Sequence, residues 1–513
     1  MAEKFGGKST PAYRLSSQDA SFIYADTNNG PLHLGSIAIF EGKVDFQALL
    51  AHVEERLHLV PRYRQRLVEV PFNLAHPIME DDPDFSYDHH VFRHQLPGRI
   101  TEGEAFEEIL QTYEVPLNRK HPLWEMHSFE NLVGNRTAIL WKVHHCLVDG
   151  VSGVELLKVM YDFRAEPVDI PQPAEPWTPA RPTSPVRRFG EALRDRISSV
   201  ANAAINAAVE LAEEPAVAID RVRMASEAVR LIRELSSRSL VSTPWNAAPV
   251  TQERVLAWSK QPFSDFRAIR AAFGGSINDV VLTMLTEGAA RYLKDRGYDV
   301  EGEEMCVGCP VNVRHKEEQT SLGNRVSMMF PVVPAEPMDV VERLKLIREE
   351  TERIKAHGSA QAIEVLMSMA SEMEPSLIAA GTSVTRAAID AGGALMKWTG
   401  WRPRPGGLGL SPFGINFIAT NVPGVQIPLY LNGHMCLDMV PLVPLGATLG
   451  FGVAILSYRQ SLYFGMMAAP CVMPDVAQMK QFAEEAFADL KRRATKHTAH
   501  VVHPPEALKA AGR

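Results

Sequence analysis

At 513 residues the chain is too long for one ordinary core, so two domains are expected. With 46% hydrophobic and 22% charged residues it has the composition of a soluble globular protein, and its net charge of −8 argues against nucleic-acid binding, which usually needs a basic excess. The first twenty residues hold no apolar core, so no signal peptide is expected, and the most apolar stretch, 442–456, is interrupted by Pro444, Gly446, Thr448, Gly450 and Gly452. That stretch falls short of the roughly 20 apolar residues a spanning helix needs, so any membrane contact is expected to be peripheral. Five scattered cysteines suit a reducing cytoplasm better than a disulfide frame.

In chain order, Leu15-Ser16-Ser17-Gln18-Asp19-Ala20 reads as a capped helix start leading to Phe22-Ile23-Tyr24. Residues 32–40 read as the first strand, and the apolar spacing of Leu49, Leu50, Val53 and Leu57 predicts a helix from Phe46 to Leu59. His89-His90 has no glycine behind it and no acid four residues on, so it reads as an ordinary strand or loop position. A helix follows over Gly103–Tyr113, then Pro122-Leu123-Trp124 and a strand through Phe129. Gly134-Asn135 is a hairpin turn into the next strand, Thr137–Val143.

That strand runs straight into His144-His145-Cys146-Leu147-Val148-Asp149-Gly150. Two histidines thus stand where a strand ends and a turn begins, a common place for chemistry. Histidine's ordinary pKa of about 6.5 suits taking and returning a proton near neutrality. Successive strand side chains face opposite ways, so His144 and His145 should not share one cleft. Asp149 can brace the turn or orient an imidazole, and Gly150 permits backbone angles most residues resist. Zinc is the rival reading of His-His-Asp, but a site needs three or four convergent ligands and no HExxH or paired CxxC accompanies them; no metal is expected. Walker A, Rossmann and GxSxG signatures are not found.

Seven prolines between Pro167 and Pro185 mark a linker, and 186–240 turns helical and Ala-rich with amphipathic stripes such as Leu193, Ile197, Val200 and Ile205. These read as connecting helices or as a lipid-facing surface. The expected division is therefore 1–166, a connection over 167–249, and 250–513. In the last part Phe263–Ala272 and Ile277–Leu293 read as helices, the second capped by Ser276 with Asp279 in its first turn. Met305–Val313 and Val326–Val333 read as strands, and Cys306/Cys309 as buried positions within the first of them. Val340–His357 and Ile363–Leu395 read as helical. Strands follow near 415–422, 434–442, 447–457 and 461–468, then a helix over Pro474–Lys496 and a poorly ordered tail.

The HHxxxDG string resembles the active-site motif of the CoA-dependent acyltransferase superfamily. Pro122-Leu123-Trp124, Ser276-Ile277-Asn278-Asp279 and Asn421-Val422-Pro423-Gly424 are similar to blocks of the bacterial wax ester synthase/acyl-CoA:diacylglycerol acyltransferase family, and the resemblance spans about residues 12–495. It implies an α/β fold of two chloramphenicol-acetyltransferase-like domains, mixed β-sheets flanked by helices, with the reaction centre in a tunnel between them. It implies that a strand in the 415–424 block reaches across to the first domain. The implied reaction moves a long-chain acyl group from CoA to a fatty alcohol or diacylglycerol, with acyl-CoA as co-substrate and no cofactor. His145 is then the general base, His144 a buttress, and Asp149 a structural acid paired with Arg314 or Arg325. Asn278, Asp279, Thr420 and Asn421 are implied as substrate-binding or supporting residues, and Pro122, Leu123 and Trp124 as supports of the cleft. The expected location is cytoplasmic, or peripheral to the inner membrane or lipid inclusions. A condensation-type acyltransferase and a non-catalytic lipid-body protein on the same scaffold remain as alternatives.

Overall fold

The structure is a computed structural model that describes residues 9–148, 156–166, 168–195, 240–246, 250–312, 326–356, 414–446 and 449–502, with 223, 226 and 230 as isolated positions. The predicted helix over 363–395, Arg314, Arg325, Asp149, Gly150 and most of 186–240 lie outside these residues.

The first half opens with strand β1 (Tyr13–Arg14) and helix α1 (Ser17–Ala25), whose N-cap Ser16 accepts from the Asp19 amide. Strand β2 (His33–Glu41) and helix α2 (Phe46–Arg56) follow; the predicted helix end at 57–59 tightens into a 3₁₀ turn before Pro61. Strands β3 (Gln65–Val68) and β4 (Ile78–Asp81) join β1 in a small sheet. Then come β5 (Val91–Ile100), α3 (Glu102–Glu114), β6 (Trp124–Leu132) and β7 (Arg136–His144). The β6–β7 hairpin turns at Gly134 and Asn135, both with positive φ.

The second half contains β8 (Val255–Pro262), α4 (Phe263–Phe273), α5 (Ile277–Asp295), β9 (Glu304–Asn312), β10 (Val326–Met329), β11 (Val332–Pro334) and α6 (Val340–Ala356). It continues through β12 (Phe417–Val422), β13 (Tyr430–Leu431), β14 (His434–Leu442), β15 (Phe451–Tyr458), β16 (Ser461–Ala468) and α7 (Val476–Val502). The single strand expected over 326–333 is broken at Phe330-Pro331, and the last helix continues past the Lys496 expected from sequence.

Two large mixed sheets result, in the orders β13-β14-β2-β7-β6-β5 and β10-β9-β12-β15-β16-β8, with β11 also on β9. The strand that crosses between the halves is not the one expected. β12 pairs in parallel with β9 and β15 and stays in the second sheet, whereas β14 crosses to pair antiparallel with β2. Both segments carry strand patterns; which edge each finds is decided by tertiary packing. β14 also lies against β16, where the α-carbon of Gly465 abuts the Pro441 carbonyl so closely that a Cβ would collide with it.

The cores follow from strand alternation. On β7, Ala138 and Leu140 pack against α3 residues such as Phe106 and Ile109, while Ile139, Trp141 and Val143 face the α2 side. In the second sheet α5 and α7 pack together over Phe417, Val453 and Phe464. Arg343 of α6 and Glu287 of α5, both fully buried, pair at 2.7 Å, and Arg343 also donates to the Pro334 carbonyl.

Candidate active site

The alternation that sends Trp141 and Val143 to one side of β7 sends His145 there as well. All three line a cavity of about 550 Å³ between the two sheets. Its walls come from α1, β2 and β7 on one side, and from β10, β12 and β15 on the other; Pro441 and Leu442 of the crossing β14 lie between them. Apart from Gln18, Ser36, His145 and Thr420, its described lining is apolar or glycine. Such a channel suits hydrocarbon chains, with a few polar groups to orient a reacting head.

His145 is half-buried. Its amide donates to the Leu32 carbonyl at 2.9 Å, and its ring stacks on Phe22, with centroids 3.9 Å apart and planes within 13°. The ring is thus held flat against Phe22 of α1.

His144 points elsewhere and is buried. Its Nδ1 accepts the Cys146 amide at 3.2 Å, which leaves Nε2 to carry the proton toward Asp26 Oδ2, 3.5 Å away. Asp26 also accepts from Arg119 at 2.9 Å and from the Leu32 amide at 2.8 Å. Burial alone would raise its pKa; His144, Arg119 and that amide together outweigh burial and hold it at about 2. Phe22 and Asp26 stand one helical turn apart, so α1 braces both histidines at once. Neither Asp26 nor Arg119 was singled out in the sequence, because nothing local links positions 26, 119 and 144. The i, i+4 spacing of Phe22 and Asp26 on a predicted helix was the one available signal.

Leu123 and Trp124 are buried beside the histidine strand. The Leu123 carbonyl accepts the His144 amide at 2.9 Å, and the Trp124 indole donates to the Tyr63 carbonyl at 2.8 Å while stacking on His90 and Tyr63. Pro122-Leu123-Trp124 therefore supports the strand end and does not line the cavity. His90 bonds the Trp124 carbonyl and is structural.

Asp279 is accounted for by capping: it accepts the Ser276 amide at 2.7 Å and the Thr351 hydroxyl at 2.8 Å. Asn278 accepts from Asn421 Nδ2 at 2.6 Å. Thr420 faces the His145 cavity, and Asn421, next along β12, faces the other side of the sheet. Cys146 is buried and its thiol is pushed well above the ordinary range by desolvation, so no thiolate is available there near neutrality. Cys306 and Cys309 are buried on β9 and form no disulfide. Among the described residues no group of three or more His, Cys, Asp or Glu is arranged to hold a metal ion.

Residues 15–281 match the wax ester synthase/diacylglycerol acyltransferase catalytic domain, and 322–491 match the C-terminal domain of the same kind. A probable diacylglycerol O-acyltransferase of Mycobacterium tuberculosis is 31% identical over 484 residues, covering 93% of this chain and 95% of that one. Among solved structures, a wax ester synthase/diacylglycerol acyltransferase from Marinobacter aquaeolei VT8 superposes with a TM-score of 0.62 at 21% identity, over 94% of this chain and 100% of the other. The starter condensation domain of rhizomide synthetase, solved as a substituted variant with C8-CoA, superposes with a TM-score of 0.54 at 13% identity over 94% of both chains. These two likenesses establish the two-sheet fold.

Proposed function

The chain belongs to the wax ester synthase/diacylglycerol acyltransferase family, and we propose that this acyltransferase works by one proton-shuttling imidazole, His145. Acyl transfer from acyl-CoA to form wax esters or triacylglycerol is the family's activity. The observation that carries the mechanism is the position of His145 on the wall of an apolar cavity between two sheets, its ring fixed by Phe22.

His145 takes the acceptor hydroxyl's proton as that oxygen attacks the thioester carbonyl. When the carbon–sulfur bond breaks, the imidazolium returns the proton to the CoA thiolate, leaving ester and free CoA. No acyl-enzyme forms, in keeping with the buried, protonated Cys146. Thr420, a hydroxyl in the lining from the second half, is the proposed donor to the tetrahedral oxyanion. Asp26 and Arg119 hold His144, and His144 holds the turn from which His145 projects. Asn278 and Asn421 belong to the compartment on the far side of β12.

The acceptor is a long-chain alcohol or diacylglycerol, which the largely hydrocarbon lining supports. Such acceptors reside in lipid, and the helix over 185–195 exposes Val186, Phe189 and Leu193 along one stripe while burying Ala192. Among the described residues no helix is long and apolar enough to cross a membrane, so attachment through this stripe would be peripheral. Free-thiol release from palmitoyl-CoA, with hexadecanol and dioleoylglycerol offered separately and the products separated by chromatography, tests the reaction. Formation of either ester supports it; thiol release indifferent to both acceptors refutes it. Replacing Phe189 and Leu193 by Ser should lower vesicle flotation without lowering activity on detergent-dispersed acceptor.

A further inference from the structure

The second sheet is not continuous. β12 pairs with β9 only at Phe417↔Val307 and Ile418↔Gly308. Beyond that point β12 keeps only β15, and β9 keeps β10. Pro310, two residues past the last pair, has no amide hydrogen to offer β12. The sheet therefore parts beside the His145 cavity.

A second cavity, of about 270 Å³, lies on the other side of the parting. Strand alternation divides the walls: Ile418, Thr420 and Val422 face His145's cavity, whereas Ala419 and Asn421 face the second chamber. Met328 and Met329 divide in the same way, and Pro310 and Ile455 border both spaces. Leu282, Val311 and Ile354 make the chamber largely apolar, and its polar wall holds the bonded Asn278–Asn421 pair, Asp279 bonded to Thr351, and Lys355.

Resting on the reaction proposed above, we infer that this chamber receives the hydrocarbon chain of the acyl donor, which threads the parting beside Pro310. The tetrahedral carbon at His145 carries three large arms: sulfur leading to CoA, oxygen leading to the acceptor, and the alkyl chain. CoA is large and charged and must reach solvent, and the acceptor needs its own entry. A passage between two sheets has two ends, so the alkyl arm requires a third compartment, and it is the arm that gains most from apolar walls. The chamber's walls thereby set which acyl lengths are accepted, while the acceptor's length is read elsewhere.

Val311→Phe and Ala419→Leu, made separately, fill the chamber from two strands. In each, the ratio of kcat/KM for palmitoyl-CoA to that for butyryl-CoA should fall by at least about tenfold, as expected from losing burial of two methylenes. The ratio for hexadecanol to butanol should not move. Met329→Ala should shift the preferred donor to longer chains. An unchanged donor ratio in both filled variants of native melting temperature would overturn the assignment, as would a change in the acceptor ratio instead. Equal weakening of palmitoyl-CoA and free CoA would place pantetheine there and also defeat it. If the wild-type protein turns over no acceptor, the reaction reading fails separately, and the chamber is judged from the same palmitoyl-to-butyryl ratio in calorimetric binding.

Discussion

At the scale of single residues, the paired histidines have different tasks because they leave the strand on opposite sides. His145 faces the cavity, and His144 faces a carboxylate that His144, Arg119 and a backbone amide together keep ionised against the opposing effect of burial. That carboxylate predicts a pH signature. The folded pKa of Asp26 is lowered from 3.8 to about 2, so its contribution, about 2 kcal/mol, is full above the unfolded value and is lost as pH falls through the folded one. In urea titrations the stability gap between wild type and Asp26→Asn should be constant above pH ~4 and close between ~4 and ~2. The same variant should lose activity mainly in kcat, and by less than removal of His145, since it acts through another side chain. Cys146→Ala should keep most of its activity, because the native thiol is both buried and protonated. Of this arrangement, the divergence of the two rings was legible in the sequence, since it needs only the two-residue period of a strand. The Asp26–His144–Arg119 contact was not, because it joins three segments that only the folded chain brings together.

At the scale of elements, local signals placed most strands and helices, though the strand expected over 326–333 breaks at Phe330-Pro331. Ser276 caps its helix as expected, with Asp279 in the first turn bonding back to the cap, and the strands near 434–442 and 461–468 stand where the sequence placed them. What the pattern did not contain was partner choice. Residues 417–422 and 434–442 both read as strands, and the crossing role went to the second, whose antiparallel register with β2 runs from Cys436 to Leu442. The helices behind the second sheet depend on the Arg343–Glu287 pair, both members out of water. Glu287→Gln leaves the Arg343 charge buried without its counter-ion and should cost about 3–5 kcal/mol in urea unfolding, whereas Arg343→Met leaves Glu287 its 2.8 Å pair with Arg291 and should cost less. Replacing both with apolar residues should recover much of that loss.

At the scale of the whole molecule, the first sheet is not built from the first half of the chain alone, because β13 and β14, from residues 430–442, complete it. The cavity therefore has walls that no segment could build alone, and its shape depends on how closely the sheets approach. Gly465 sets that approach: a methyl group there meets the Pro441 carbonyl, and Pro441 with Leu442 lines the channel. Gly465→Ala should destabilise by about 1–3 kcal/mol and disturb palmitoyl transfer more than its modest size suggests, which calorimetry and a donor titration would show.

The most direct trial of His145 as the proton carrier is pre-steady-state release of CoA thiol from palmitoyl-CoA with hexadecanol or dioleoylglycerol, comparing wild type with a His145→Ala variant of matching melting temperature. The rate should fall by about 10²–10⁴ with donor binding retained. A variant that releases thiol and forms ester as fast as wild type would contradict the proposal.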